Sequence, residues 1–148
     1  MSAIINDKNM DIKVLDKAII ALVEKRIELT ALSYDDTRYD EVEEELHNME
    51  DKFTDKYGDQ MEIILTAIHD EHCTDTDVLS PIAYLAQQYN RNGNNQDGSP
   101  AYTVDADEGV PVDADKFPGK DARLVLIPSP ARIYLRVGSK YEKEVWHS

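Results

Sequence analysis

The densest set of side chains able to bind a metal is His69-Asp70-Glu71-His72-Cys73. On a helix, His69 and His72 stand three residues apart and His69 and Cys73 four, so all three share a face. Imidazole nitrogen and thiolate sulfur are good zinc ligands, and Glu62 lies two turns earlier. His69, His72, Cys73 and Glu62 therefore form a candidate divalent-metal site. A zinc ion with an open position lowers the pKa of its bound water, which is hydrolase chemistry. The spacing departs from the His-Glu-x-x-His of zinc peptidases: the glutamate is misplaced, and a three-residue step replaces a four-residue one. The competing reading is a polar helix end, where histidines face the negative end of the dipole.

Three other patterns are weaker. Val104-Asp105-Ala106-Asp107 recurs as Val112-Asp113-Ala114-Asp115. Asp105, Asp107, Asp113 and Asp115 offer hard oxygen ligands to calcium, but the glycine expected at the sixth place of an EF-hand loop falls at the fifth. A solvated acidic loop competes with that reading. Glu44 and His47 make one Glu-x-x-His pair; a di-iron bundle needs two, and Glu44 falls between the apolar Val42 and Leu46. Cys73 is flanked by Asp70, Glu71 and Asp75, whose negative potential works against a reactive thiolate. No glycine-rich phosphate loop occurs. The balance favours a protein that is not an enzyme and needs no cofactor.

Composition sets wider bounds. The chain has 148 residues, with 16 Lys and Arg against 30 Asp and Glu, for a formal net charge of -14. That charge repels a phosphate backbone, so a nucleic-acid partner is excluded. Hydrophobic residues, at 41%, are too many for a wholly disordered chain. No apolar run approaches the ~20 residues of a membrane helix. The single cysteine, Cys73, excludes an internal disulfide, and residues 1–11 lack the features of a signal peptide, so a cytoplasmic location is expected. Charge is uneven: residues 1–89 carry net -13, residues 90–121 net -4 and residues 122–148 net +3.

The elements follow from periodicity. From about Met10 to Leu32, Ile12, Leu15, Ile19, Leu22 and Leu29 recur at three-four steps, with Ile20, Val23 and Ile27 beside them. This broad apolar face predicts a helix in a bundle. A second helix is expected from Thr37 to Tyr57, stopped by Gly58, and a third from Asp59 to His72. Ser80-Pro81 signals a fourth, short helix to Tyr89. Residues 90–121 hold four of six glycines and three of six prolines and read as irregular, with a small hairpin between the two Val-Asp-Ala-Asp copies. Leu124–Ile127 and Ile133–Val137 read as strands around Pro128-Ser129-Pro130, and Tyr141 to Trp146 as a third.

The expectation is therefore an α+β fold. An acidic helical region (1–89) leads through an irregular segment (90–121) to a small antiparallel sheet (122–148), all one domain. The helices and the sheet ask for more burial than one chain offers. This predicts a homo-oligomer, a dimer, acting as a non-catalytic interaction or assembly module. Ile12, Leu15, Ile19, Leu22, Tyr134 and Trp146 are the expected interface. The acidic face of residues 35–77, with sixteen acids and three bases, adds a basic protein surface as a further expected partner. The alternative is the metal-dependent hydrolase.

Overall fold

A computed structural model describes residues 12–148; the expected helix start at Met10 lies outside them. Helices α1 (Ile12–Ala31) and α2 (Tyr39–His72) form an antiparallel hairpin. Residues 14–22 of α1 lie beside 49–57 of α2 and residues 26–30 beside 43–50, which fixes the direction; Lys25 pairs with Glu45 and Arg26 with Glu50 across the seam. Leu15, Ile19, Leu22 and Val23 turn inward from α1, and Val42, Leu46, Phe53 and Tyr57 from the first half of α2. The second half of α2 carries Met61, Ile64, Leu65 and Ile68 into the same core.

The expected break at Gly58 does not occur: α2 runs 34 residues without interruption. A helical glycine costs about 1 kcal/mol relative to alanine. Each of the large side chains buried on either side of it returns about 1.5–3 kcal/mol. The apolar stripe is in phase through Tyr57 and Met61, so burial outweighs the local stop signal. The helix begins at Tyr39 rather than Thr37, and Asp36 accepts the amide of Arg38 at 2.9 Å to close the turn before it.

The expected fourth helix shrinks to one 3-10 turn, Pro81–Tyr84. The chain then becomes extended, because Leu85 bridges Leu126 in parallel and the Tyr89 hydroxyl donates to the Leu126 carbonyl at 2.6 Å.

Residues 90–121 contain three short strands. β1 (Asn90–Asn94) and β2 (Pro100–Thr103) form a two-stranded antiparallel hairpin, with Gly98 in its turn. β3 (Val110–Val112), β4 (Ala122–Ile127), β5 (Arg132–Val137) and β6 (Tyr141–His147) form a four-stranded antiparallel sheet in chain order. The two Val-Asp-Ala-Asp copies do not pair, since Val112 lies opposite Ala122. Gly109 enables this alternative. Its φ is +103°, and a Cβ there would lie 2.4 Å from the Leu124 carbonyl oxygen. Only glycine lets the chain approach β4 so closely.

In the sheet, Leu124 faces Leu135, Leu126 faces Ile133, and Ile133 faces Trp146. These residues join the helical stripe in one buried cluster. The β4–β5 turn is tied to α1, because the amide of buried Ser129 donates to Asp16 at 2.8 Å. No helix among the described residues is long and apolar enough to cross a membrane.

Candidate functional site

The helical phase of α2 turns His69 into the core, where it is 3% exposed. Its Nδ1 lies 2.8 Å from the Thr76 carbonyl, which can only accept, so Nδ1 carries the proton. Nε2 then accepts from the Tyr84 hydroxyl at 2.8 Å, and the Tyr84 oxygen accepts the amide of Leu79. Both ring nitrogens are thus engaged by the chain itself. Cys73 is fully buried at the helix end, and burial, reinforced by Asp115, pushes its thiol up to about 11. His72 is half-buried beside Glu71. Burial lowers its pKa, helped by Lys143 and Lys116. Glu62 is exposed. Among the described residues, no group of three His, Cys, Asp or Glu side chains is placed to hold a metal ion. The expected cluster does not form a site because both ring nitrogens of His69 are engaged, Cys73 is buried and Glu62 is exposed.

The four aspartates do not converge either. The Asp115 carboxylate accepts the Thr74 amide and hydroxyl, each at 3.1 Å, and its own amide donates to the His72 carbonyl at 2.8 Å. The Asp113 amide donates to the Thr76 hydroxyl at 2.9 Å. These two residues fasten the loop before β4 to the end of α2. Asp105 is held through its carbonyl by Arg136 at 3.1 Å, and Asp107 is exposed.

Four of the six residues expected at an interface are internal. Leu15 and Ile19 are completely buried, Leu22 and Trp146 nearly so. These α1 and sheet residues belong to one buried cluster within a single chain. Ile12 and Tyr134 are half-buried, and Arg132 lies over the Tyr134 ring at 5.5 Å.

An apolar groove of about 380 Å³ lies between α1 and α2, with half-exposed Val14 in its lining; Ile63 of α2 is exposed outside it. Ala18 and Ala21 of α1 form one wall, and their short side chains are the reason for the hollow. Met49 and Phe53 of α2 form the other, with Leu22 and Tyr57 beneath. Lys17 stands on the α1 rim, and Lys52 and Lys56 stand on the α2 rim. One turn beyond Ala21 and Met49, Lys25 bridges Glu28 at 3.0 Å and Glu45 at 3.1 Å and closes that end.

A second hollow of about 420 Å³ is lined by Arg26, Leu29, Leu46, Glu50 and Ile82, and its cation is already paired. Arg26 there is bound to Glu50 at 2.7 Å and to the Ala86 carbonyl at 2.8 Å.

The groove escaped sequence reasoning. Its signals were two alanines beside the leucine stripe and lysines standing at three-four spacing on an acidic helix. No family model, curated protein or solved structure matches the chain.

Proposed function

We propose that the protein is a non-catalytic interaction module whose α1–α2 hairpin docks a protein partner in this groove. The observation that carries the reading is the apolar groove between the two helices, lined by Val14, Ala18 and Ala21 of α1 and by Met49 and Phe53 of α2. Apolar grooves between helices receive amphipathic helices, whose anchors recur at i, i+3, i+4 and i+7. The engagement of His69 and the burial of Cys73 supply no free base or nucleophile, which favours docking over hydrolysis. A cytoplasmic location and self-association belong to the same proposal. Self-association does not rest on Leu15, Ile19, Leu22 or Trp146, which are buried.

The test is amide chemical-shift mapping with a synthetic helical peptide that carries four leucines at that spacing and glutamines elsewhere. Shifts confined to residues 17–22 and 49–57, and lost in Ala21→Trp, are expected. Absent or scattered shifts overturn the reading.

A further inference from the structure

Resting on that reading, we infer that the groove's occupant is an amphipathic helix with an apolar stripe bordered on both sides by acidic residues. The chain as a whole carries -14, and residues 35–77 hold only three bases among sixteen acids. Two of those three, Lys52 and Lys56, stand on one rim of the groove, and Lys17 stands on the other. Lys52 and Lys56 from this acidic stretch and Lys17 from α1 thus border the apolar groove with positive charge.

The second observation is that these lysines are unspent. Elsewhere on the hairpin the cations are committed: Lys25 to Glu28 and Glu45, Arg26 to Glu50, Arg38 to Asp36. Among the described residues, Lys17 and Lys52 make no ion pair, and Lys56 lies only over the Tyr57 ring, at 5.3 Å.

Dimensions set the form of the occupant. From Val14 to Leu22 on one side and from Met49 to Tyr57 on the other, the groove covers about two helical turns, on the order of 12 Å at 1.5 Å per residue. That length seats anchors at i, i+3 or i+4, and i+7. Residues bordering such a stripe then face Lys17 on one side and Lys52 and Lys56 on the other. A groove-to-groove dimer would oppose six lysines, so a second copy in that geometry is disfavoured. An anionic membrane is flat, whereas this surface is concave with its apolar floor below its charged rims.

The test uses two fluorescein-labelled peptides with the same four leucines, one bordered by glutamates and one by lysines, titrated against the full chain at low salt. We expect the acidic peptide to bind on the order of ten-fold or more tightly than the basic one, since three exposed contacts change sign. The preference should shrink as salt rises. The triple variant Lys17→Glu, Lys52→Glu, Lys56→Glu should reverse it, and the milder Lys→Gln triple should abolish it if the first fails to fold. Ala21→Trp should weaken both peptides.

Equal binding of both peptides, lost in Ala21→Trp, overturns the acidic occupant but leaves docking in place. An acidic preference that survives in the triple variants also overturns it, by placing the charge elsewhere. No binding of either peptide, with binding to phosphatidylserine vesicles instead, overturns both readings.

Discussion

The phenolic proton of Tyr84 closes a relay that begins at the Thr76 carbonyl and passes through the ring of His69, each link 2.8 Å long. The relay binds the end of α2 to the following loop and 3-10 turn. Tyr84→Phe would leave Nε2 of His69 without its donor and the Leu79 amide without its acceptor. Buried groups orphaned in this way cost about 1–3 kcal/mol. Denaturant unfolding should show that loss with an unchanged slope, and His69→Ala should cost at least as much. Because neither ring nitrogen is available, added zinc should leave Tm unmoved. A rise of several degrees that disappears in His69→Ala would instead restore the metal reading.

Gly58 offers the opposite change. It sits mid-helix without a positive φ, and an added Cβ would meet only the Thr54 methyl, at an ordinary 3.4 Å. Gly58→Ala should therefore stabilise the protein by about 0.5–1 kcal/mol through the reduced entropy of the unfolded chain. Thermal melts should show Tm rising by a few degrees. A fall would mean that α2 is interrupted there in solution.

The acid side of the stability profile should fall in two stages. Burial depresses the pKa of His72 below its ordinary 6.5, with Lys143 and Lys116 adding to burial against Glu71 and Asp115. The unfolded chain then takes up that proton first. The contribution of neutral His72 is complete above 6.5 and drains away as pH drops through the lower folded value. Glu24 behaves as a depressed carboxylate. Burial would raise its pKa, but hydrogen bonds from Arg91 and Tyr102 outweigh it and leave it below 4.5. Its contribution is complete above 4.5 and is lost as pH falls through its folded value. Melting curves across this range should lose the upper stage in His72→Gln and the lower stage in Glu24→Gln. Profiles unchanged in both variants would contradict the assignment.

How much of this was legible in the sequence depended on how local each signal was. The runs Leu124–Ile127 and Ile133–Val137 announce strands because β-branched and apolar residues crowd within single segments. β1 has no such signature: Asn90, Arg91 and Asn92 are all exposed, and the strand exists because Arg91 pairs with Tyr102 and reaches Glu24. β3 is likewise defined by β4, reached across Gly109. The stop at Gly58 misled because about 1 kcal/mol of local preference competes with several buried side chains that the sequence does not rank. For the site, spacing shows which residues share a face of α2 but not what meets that face. Thr76 and Tyr84, which claim His69, come from the next loop and turn. The groove needs two helices in register before Ala18 and Ala21 become a wall rather than ordinary helix formers.

Self-association and docking can be separated by one substitution. The dimer expected on Ile12, Leu15, Ile19, Leu22, Tyr134 and Trp146 loses Leu15, Ile19, Leu22 and Trp146 to the core of the single chain, while Ile12 and Tyr134 are half-buried. The groove is an apolar surface of the hairpin that a second copy could cover, yet two grooves placed face to face would bring Lys17, Lys52 and Lys56 against their own copies. Like charges at contact distance repel by about 1 kcal/mol per pair even in water. Any dimer should therefore form through another surface, and Ala21→Trp should leave the mass measured by light scattering unchanged across micromolar concentrations. If filling the groove instead converts a dimer to a monomer, the groove is a self-interface, and its lysines must be neutralised by acids of the second copy rather than by a separate partner.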